Sequence, residues 1–597
     1  MAVLDFTTRP EIQGSFGVVA TTHWMASAVG MAVLEKGGNA FDAAVAAGFA
    51  LQVLEPHLNG PGGDMPAIFY AQKDGRPRVL CAQGTVPGLA TIEHFRSLGL
   101  PTIPGAGMLA TCVPGAFDGW LRLLQDYGTF RLRDVLSYAI EYAQGGVPVL
   151  PNIRNTVRTV EQLFRNDWHT SAAVFLPGGN VPEVGSWFTN PQLAATYVRL
   201  LTDAEASTSD RDGQIEAVRE AWYNGWVAEA IDDFYTHQEL LDPTGRRHKG
   251  LLRADDLARW RSTYEDPETV EYGGLTVAKC GFWSQGPALL QQLSLLRGLD
   301  DRKAGATDPA FVHAFVEAAK LAFADREAWY GDPDFSDIPR AALLSEAYAA
   351  DRRRLIGADA SRELRPGSPD GRTPNVAPAL NHGTKAGAAA VGVGEPTVQP
   401  TGEARGDTVH IDVIDRDGNM ISITPSGGWL QSAPVIPALG FPMGSRAQMF
   451  WLEEGTPSTL APYKRPRTTL SPSLALRDGE PYMVWGTPGG DQQDQWSTLL
   501  LLHHVDHGMN LQEAIDTPAF HSEHWPSSFW PRGSKPGRLV VEGRMPDATV
   551  EDLKRRGHDV VRGGMWSEGR LTAAAKDGRV LKAAANPRGM QGYAVGR

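Results

Sequence analysis

The sequence predicts a layered protein of α-helices and β-strands, and three observations support this fold class. Between about Pro114 and Leu355 the pattern is mainly helical, as in the apolar spacing of the segment 308–330. After residue 405 it switches to alternating strands separated by turns. Some of these strands are followed by helices, such as the segment 496–507, as expected for stacked layers of sheet and helix. We find no internal repeat.

The first strong element is a helix that begins after Gly38 and runs to about Leu51. Asn39 is a suitable N-cap, and Asp42 lies in the first turn, where a negative charge suits the helix dipole. The alanine-rich and glycine-rich composition of this helix predicts tight packing in the interior. A glycine-rich turn over 59–64 then leads into a predicted strand from Ala67 to Tyr70.

The segment 357–405 separates the helical part from the strand-rich part. It is rich in Gly, Pro, Ala and Thr with few large apolar residues, which is typical of an exposed, mobile linker. A predicted hairpin follows, with strands over 409–413 and 420–424 joined by the turn 415–419. A second strand pair is predicted over 473–476 and 482–485.

Composition excludes several functional classes. The 597 residues carry a net charge of −13, which argues against a general nucleic-acid binder. Hydrophobic residues make up 42% and charged residues 21%, as in folded globular proteins. Three cysteines, Cys81, Cys112 and Cys280, cannot form a disulfide framework. Neither a signal-peptide pattern nor an apolar run of about 18 residues is found, so we expect a cytoplasmic protein without a membrane partner.

Thr408 has a position that suggests chemistry, because it opens a hairpin strand directly after the linker. A threonine hydroxyl is a poor nucleophile, but an N-terminal threonine carries its own base, the α-amine, whose ordinary pKa is about 7.7 to 8.0. Cleavage between Asp407 and Thr408 would create this arrangement, and the segment upstream could swing away to open a pocket. On spacing alone, however, a threonine here is usually an ordinary strand residue.

Eight short segments, taken together and in order, resemble the gamma-glutamyltranspeptidase family of N-terminal-nucleophile hydrolases. None of them is specific alone, but the resemblance covers nearly the whole chain from about residue 17. The segments are 37–44 (GGNAFDAA), 323–326 (FADR), 330–335 (YGDPDF), 408–410 (TVH), 417–419 (DGN), 469–472 (TLSP), 487–490 (TPGG) and 586–588 (NPR).

The resemblance implies an α+β fold, a four-layer αββα sandwich formed by two subunits cut from one precursor. Residues 1–356 would form the body of the large subunit, 357–407 a flexible linker that ends at the cleavage site, and 408–597 the small subunit. Thr408 would attack the carbonyl of Asp407 and afterwards the substrate amide, with Ser426 as a helper hydroxyl. The backbone N–H groups of Gly489 and Gly490 would form the oxyanion hole. No cofactor and no metal are implied.

The residues that would bind a γ-glutamyl group differ from the family pattern. Gln83 replaces an arginine that clamps the α-carboxylate, Gly428 replaces an asparagine, and Met449 replaces the aspartate that pairs with the α-amine. Thr468 and Thr469 stand in place of two serines and retain hydroxyls. These changes disfavour a true gamma-glutamyl transferase or glutathione hydrolase, which we keep as an alternative.

Two residues near these positions suggest a different substrate. Arg446 replaces a glutamine, and Asp491 follows the glycine pair, a combination that resembles the branch including oxamate amidohydrolase and acylase-like members. We therefore predict a small-molecule amide whose acyl part carries a carboxylate held by Arg446. Three tryptophans are candidates for the wall of a larger acyl pocket: Trp283, Trp429 and Trp451. The alternative is that Arg446 forms a structural ion pair and the tryptophans belong to the core.

Two other classes of function are weighed against this one. Four histidines, at 503, 507, 521 and 524, raise the option of a metal-dependent amidohydrolase, but the HExxH motif and an obvious third ligand are missing, and we expect the first two to be surface or interface groups. A non-catalytic scaffold that is never cleaved is the other option. The sequence leaves open whether water or an amine is the final acceptor, and whether the heterodimers form a homo-oligomer.

Overall fold

The computed structural model describes residues 6–377 and 408–597. Asp407, the predicted residue before the cut, and most of the predicted linker therefore lie outside the described residues. In the described part, no helix is both long and apolar enough to cross a bilayer.

Two seven-stranded sheets form the centre of the molecule. In chain order the strands are β1 (Ile12–Gly14), β2 (Gly17–Thr21), β3 (Ala67–Ala71), β4 (Arg76–Cys81), β5 (Val147–Pro148), β6 (Trp187–Phe188), β7 (Leu240–Leu241), β8 (Arg247–His248), β9 (Thr263–Glu265), β10 (Glu268–Tyr272), β11 (Leu275–Lys279), β12 (Ile411–Asp415), β13 (Met420–Ile423), β14 (Ser473–Arg477), β15 (Glu480–Gly486), β16 (Phe520–Ser522), β17 (Arg538–Val541), β18 (Asp559–Arg562), β19 (Thr572–Asp577), β20 (Val580–Ala585) and β21 (Tyr593–Gly596).

The α-helices lie before, between and after these strands. They are α1 (Trp24–Glu35), α2 (Ala40–Leu54), α3 (Ile92–Ser97), α4 (Ala116–Tyr127), α5 (Leu132–Gly145), α6 (Pro151–Asn166), α7 (His169–Phe175), α8 (Pro191–Ser207), α9 (Arg211–Tyr223), α10 (Trp226–His237), α11 (Ala254–Ala258), α12 (Pro287–Arg297), α13 (Pro309–Trp329), α14 (Arg340–Leu343), α15 (Glu346–Arg353), α16 (Gln493–Val505), α17 (Leu511–Asp516) and α18 (Asp547–Arg555).

Both large sheets are antiparallel throughout. The first sheet has the strand order β1-β20-β19-β15-β14-β11-β10, and the second has the order β21-β2-β12-β13-β3-β4-β9. Each sheet therefore combines strands from before and after residue 408. The strand β12, which follows Thr408, is central in the second sheet and pairs with β2 and β13.

Alternating side chains along the strands pack into separate layers. Ile68 and Ile414 of the second sheet meet Leu474 and Val484 of the first in a core between the sheets. The opposite face of the second sheet, which includes Phe69, packs against α1, α2, α4 and α5. The outer face of the first sheet packs against α12, α13, α16 and α17. The layer order is helix, sheet, sheet, helix, which confirms the predicted αββα sandwich.

The strongest helix signals are confirmed, with small shifts at the ends. Helix α2 begins after Asn39, whose side chain accepts the N–H groups of Phe41 and Asp42, and the Asp42 carboxylate accepts the Asn39 N–H in return. Every residue of this helix is buried, which explains its small side chains. Helix α13 is likewise capped by the side chain of Asp308.

The predicted mainly helical region between 114 and 355 also contains strands that the sequence analysis missed. The hairpin of β10 and β11 forms one edge of the first sheet, and Gly273 and Gly274 in its turn have φ angles of 58° and 81°. Residues 357–377 also differ from the expected linker, because they contact the body of the protein. Gly367 N–H donates to Asp325 at 2.7 Å, and Arg365 pairs with Glu317 at 3.1 Å.

Candidate active site

Thr408 is fully buried three residues before the central strand β12. Its Oγ1 donates a hydrogen bond to Ser426 Oγ at 3.1 Å, and the two residues form an antiparallel backbone bridge. The next residue fixes this register, because Val409 N–H donates to Pro425 O at 3.0 Å. The structure thus brings together the predicted nucleophile and the predicted helper hydroxyl.

Asp64 extends this arrangement on the far side of Ser426. The two residues exchange backbone hydrogen bonds, from Asp64 N–H to Ser426 O at 2.8 Å and from Ser426 N–H to Asp64 O at 2.9 Å. The Asp64 carboxylate accepts Nε and Nη2 of Arg446 at 3.0 and 3.1 Å, a bidentate ion pair in the interior. Burial raises the pKa of Asp64, and Arg446 opposes this effect. The sequence analysis assigned no role to Asp64.

Arg446 is therefore linked to Ser426 through one residue, Asp64. Two of the three guanidinium nitrogens of Arg446 donate to the Asp64 carboxylate. Its remaining nitrogen, Nη1, is buried without a hydrogen-bond partner, and its guanidinium lies 5.4 Å from the centroid of the Trp429 ring. The ion pair is the alternative that the sequence left open. A contact from Arg446 to a substrate carboxylate stays a prediction.

The predicted oxyanion loop follows strand β15 of the opposite sheet. Gly486, at the end of β15, lies against the His410 ring, since a Cβ placed there would be 2.3 Å from His410 Cε1. This contact places the loop beside His410, in the segment that leads from Thr408 into β12. Gly489 and Gly490 have φ angles of 125° and 53°, which L-residues with side chains rarely adopt. A Cβ on Gly489 would also lie 2.3 Å from the Trp496 ring.

Gln285 connects the oxyanion loop to the threonine pair. Its Nε2 donates to Gly490 O at 3.0 Å and its Oε1 accepts Arg326 Nη1 at 2.8 Å. Its backbone N–H donates to Thr468 O at 2.9 Å. Thr468 and Thr469 are both buried, and Thr469 Oγ1 has no hydrogen-bond partner. Both predicted hydroxyls are therefore held close to the glycine pair, and Thr469 presents an unused one.

Gly428 and Gln83 replace family residues for different physical reasons. Gly428 has a φ of 65° and packs on the turn 60–63, where a Cβ would be 3.0 Å from Gly63 N, so a side chain does not fit there. Gln83 is buried with both side-chain amide atoms unpartnered, and it lines a cavity of about 700 Å³ together with Trp283. The side-chain amide of Gln83 can therefore form hydrogen bonds beside a cavity, whereas Gly428 has only its backbone N–H and C=O groups.

The three candidate tryptophans have different surroundings among the described residues. Trp283 lies at the cavity of Gln83, whereas Trp451 lies beneath the guanidinium of Arg532, 3.9 Å from its ring centroid. Trp429 forms an apolar cluster with Met449 and Phe529. Met449 is fully buried in this cluster, so the position that pairs with an amine in the family is apolar here.

Asp491 differs from the expectation of a substrate contact. Its carboxylate pairs with Arg326 and accepts the N–H and hydroxyl of Ser528 at 2.7 and 2.6 Å. Burial alone would raise the pKa of Asp491, but Arg326 and Ser528 together hold it below the ordinary value. Both carboxylate oxygens of Asp491 therefore have partners inside the protein that hold the turn behind the glycine pair in place, and a contact from Asp491 to a substrate stays a prediction.

The histidines considered as metal ligands lie in separate contacts. His503 and His507 hydrogen-bond to each other at 3.1 Å and are buried against Phe311, so of the two expected locations, surface or interface, the surface one is wrong. Their helix is covered on this side by α13, which the spacing of α16 alone does not reveal. His521 pairs with Glu568, whereas His524 accepts Gly537 N–H at 3.0 Å.

One other group in the described residues has the geometry of metal ligands. The ligand atoms of His313, Glu317 and His558 lie within 4.8 Å of one another. Glu317, however, pairs with Lys320 at 2.6 Å and with Arg365 at 3.1 Å, and these cations compete with a metal ion. The group is outside the set of residues around Thr408.

The arrangement around Thr408 suits nucleophilic attack on a carbonyl carbon. It combines a hydroxyl with a hydroxyl partner, a glycine pair in a left-handed conformation, and unpaired hydrogen-bonding groups at Thr469 and Gln83. Asp64 and Gln285, which position these groups, were missed because an acidic residue after a glycine turn and a glutamine before a helix have many ordinary roles.

Comparisons with known proteins identify a family and several relatives of this chain. The sequence profile described as Gamma-glutamyltranspeptidase matches residues 26–596. The chain is 31% identical to the glutathione hydrolase-like YwrD proenzyme of Bacillus subtilis (strain 168), covering 98% of this chain and 99% of that protein. It is 31% identical to the acylase ACY 1 proenzyme of Pseudomonas sp. (strain SE83), covering 96% and 94%. It is 30% identical to the oxamate amidohydrolase proenzyme of Klebsiella pneumoniae subsp. pneumoniae, covering 91% of each.

Solved structures show the same fold over the whole chain. LmbA2991HD is 53% identical with a TM-score of 0.93, covering 99% of this chain and 100% of that one. The cephalosporin acylase from Bacillus halodurans is 27% identical with a TM-score of 0.82, covering 100% and 98%. From the site, the profile and these relatives together, the chain belongs to the gamma-glutamyltranspeptidase family and is an amide hydrolase or acyltransferase of the N-terminal-nucleophile type.

Proposed function

We propose that this chain is a self-processing amidohydrolase whose nucleophile is the hydroxyl of Thr408. The observation that carries the proposal is the buried hydrogen bond from Thr408 Oγ1 to Ser426 Oγ, 3.1 Å long, at the end of a central strand. The loop of Gly489 and Gly490 approaches the same strand from the other sheet through the contact of Gly486 with His410. The names of the curated relatives, which are proenzymes, support cleavage of a precursor.

The first reaction would create the nucleophile in its active form. The Thr408 hydroxyl oxygen attacks the carbonyl carbon of Asp407, the hydroxyl proton passes to the peptide nitrogen, the C–N bond breaks, and the nitrogen becomes the α-amine of Thr408. Water then hydrolyses the resulting ester, which restores the hydroxyl and leaves Asp407 as a C-terminal carboxylate. The product is a threonine that carries its own base.

Turnover would use the same oxygen on a substrate amide. The α-amine takes the hydroxyl proton as the oxygen attacks the amide carbonyl carbon, and the N–H groups of Gly489 and Gly490 stabilise the oxyanion. The proton passes to the leaving amine, and water hydrolyses the acyl ester; an amine in its place would give transfer. Removing one such oxyanion donor in known enzymes costs about 3 to 4 kcal/mol.

We further propose that the acyl part of the substrate carries a carboxylate. Arg446 is linked to Ser426 through Asp64, and Thr469 has a hydroxyl without a hydrogen-bond partner. A γ-glutamyl amine has less support, because Met449 lies in an apolar cluster with Trp429. The cytoplasmic location and an assembly of several heterodimers stay predictions from the sequence.

The direct test is the variant Thr408→Ala. We expect a folded, uncleaved chain without amidase activity, while Thr408→Ser, which keeps a hydroxyl, should still be processed, though more slowly. Denaturing gel electrophoresis measures the cleavage, and release of p-nitroaniline from glutaryl, γ-glutamyl and oxamyl anilides measures the activity. Processing or turnover by Thr408→Ala would show that another residue is the nucleophile. A wild-type chain that never cleaves would support the scaffold alternative.

A further inference from the structure

A second cavity lies beside the oxyanion loop, and we call it the Arg532 pocket. Its volume is about 410 Å³. Its wall includes Gln492, Trp525, Phe529, Trp530 and Arg532. Two further charged residues of the wall, Glu523 and Lys535, pair with each other at 2.7 Å. Asp491 and Gln492 in its wall directly follow the predicted oxyanion glycines, so the pocket begins where the oxyanion loop ends.

The pocket also adjoins the residues next to Arg446. Phe529 packs on Met449 and Trp429, and Trp530 N–H donates to Gln448 Oε1 at 3.0 Å. Met449 stands where the family resemblance places the partner of the acyl group's amine. The Arg532 pocket therefore lies next to the position of Met449, and three aromatic side chains form part of its wall, Trp525, Phe529 and Trp530.

Arg532 is a buried cation whose charge is not neutralised by a direct ion pair. Only 7% of the residue is exposed. Its Nη2 donates to two backbone carbonyl oxygens, Gln448 O at 2.6 Å and Phe450 O at 3.0 Å. Its Nη1 is buried with no partner, and within 6–377 and 408–597 no carboxylate oxygen lies within 4.0 Å of the guanidinium.

The neighbouring charges explain why an extra anion would be favoured. Arg326 pairs with Glu327 and Asp491, and Arg467 shares Glu327 at 2.9 Å, so two carboxylates already serve two guanidinium groups. Arg532 is the third cation of this cluster. Burial, and then repulsion by Arg467, lower the pKa of Arg532 to about 9. A carboxylate placed beside it would offset both effects.

A second unpaired group belongs to a residue in the wall of the same pocket. Gln492 is 6% exposed, lines the pocket, and has a buried side-chain oxygen without a hydrogen-bond partner. An oxygen of this kind accepts an N–H or O–H of a ligand. We infer that the Arg532 pocket binds the carboxylate-bearing end of the substrate's acyl group, with Arg532 as the charged partner and Gln492 as an acceptor.

This inference rests on the proposed function and makes it more specific. It assigns the carboxylate to Arg532, because Arg446 already forms a bidentate pair with Asp64. A carboxylate within the protein, Glu453, could neutralise Arg532 in place of a substrate. Glu453 attracts Arg532 from beyond 4.0 Å, and its Oε2 is buried without a partner. If Glu453 moves to pair with Arg532, the pocket needs no anion.

The test compares two anilides that differ only in the terminal carboxylate, glutaryl p-nitroanilide and pentanoyl p-nitroanilide. For Arg532→Gln we expect kcat/KM to fall by about 30-fold or more on the glutaryl substrate and by less than about 3-fold on the pentanoyl substrate. Arg532→Lys keeps the positive charge but loses the planar set of N–H donors that can bind both carboxylate oxygens, so it should give an intermediate loss of kcat/KM on the glutaryl substrate. The matched control is Arg538→Gln, an arginine outside the pocket that pairs with Asp559, and it should change neither value.

A binding measurement separates this inference from the proposed nucleophile. Glutarate should quench the fluorescence of Trp525 and Trp530 in wild type and in Glu453→Gln, but not in Arg532→Gln, whether or not the chain cleaves amides. Equal losses on both anilides, glutarate binding that survives Arg532→Gln, or glutarate binding that appears in Glu453→Gln but is absent in the wild type would overturn the inference. Selectivity lost only in Arg446→Gln would assign the carboxylate to Arg446. Failure of processing at residue 408, with glutarate binding intact, would count against the proposed function alone.

Discussion

At the residue scale, the backbone of Ser426 is held by contacts that do not involve its hydroxyl. Its N–H and C=O both pair with Asp64, and its Oγ accepts the hydroxyl of Thr408. The side chain can therefore be changed without removing the contacts that place it. Asp64 is in turn held by Arg446, and truncating one partner of a buried pair typically costs about 3 to 5 kcal/mol.

The variant Ser426→Ala tests this division of roles. We expect it to fold normally, because the backbone bridge remains, but to process slowly and to lose about 10- to 100-fold in kcat, since one hydrogen bond to the nucleophile is missing. Ser426→Thr should restore most of both rates, because it keeps the hydroxyl. Circular dichroism and timed denaturing gels measure fold and cleavage. Full-speed cleavage by Ser426→Ala would remove this residue from the mechanism.

At the element scale, the loop after β15 depends on a backbone conformation that only glycine adopts easily. Gly489 combines a φ of 125° with a close approach to the Trp496 ring. Trp496 is itself packed edge-on against His521, 5.6 Å between ring centroids, and His521 pairs with Glu568. The glycine pair is thus supported from behind by an aromatic ring and a buried ion pair.

The variant Gly489→Ala should therefore lose activity by about 100-fold or more, because the added methyl group displaces the oxyanion donors. The control is Gly578→Ala in the turn between β19 and β20. Gly578 also has a positive φ, 61°, but no other group of the described residues lies within 4 Å of an added Cβ there. This variant therefore carries backbone strain without disturbing the residues around Thr408. Steady-state kinetics and thermal unfolding measure both. Equal activity losses in the two variants would mean that strain alone explains the effect.

The elements also differ in how far the sequence could predict them. Helix α2 was predictable because its cap and its small residues act locally. The hairpin β10–β11 was missed although Gly273 and Gly274 mark its turn, since its alternation is short and the surrounding segments are helical. The ordered start of the expected linker depends on contacts such as Gly367 with Asp325, which are distant in sequence. The internal partners of Asp491 were missed for the same reason, because Arg326 and Ser528 come from other segments.

At the scale of the whole molecule, a cut before residue 408 would divide both sheets between two chains. In the second sheet β12 pairs with β2 and β13 pairs with β3, and in the first β14 pairs with β11 and β20 pairs with β1. The large buried cores between and outside the sheets also combine residues from both sides. The resemblance of short motifs predicted this sandwich, whereas periodicity alone indicated only layers.

We therefore expect the cleaved chains to stay together without a covalent link. Size-exclusion chromatography of mature protein should give one peak that contains both chains, and about 6 M urea or more should be needed to separate them, because the interface is core rather than surface. Uncleaved Thr408→Ala serves as the control and should elute at the same volume. Separate elution of the two chains in buffer would contradict the shared sheets.

The central claim, that Thr408 becomes an N-terminal nucleophile, is tested most directly by the N-terminal sequence and mass of the smaller chain in purified protein. The account predicts a new chain that starts Thr-Val-His-Ile, with a free α-amine, and a larger chain that ends at Asp407. A single intact chain of 64.6 kDa after prolonged incubation, or a chain start at any other residue, would contradict it.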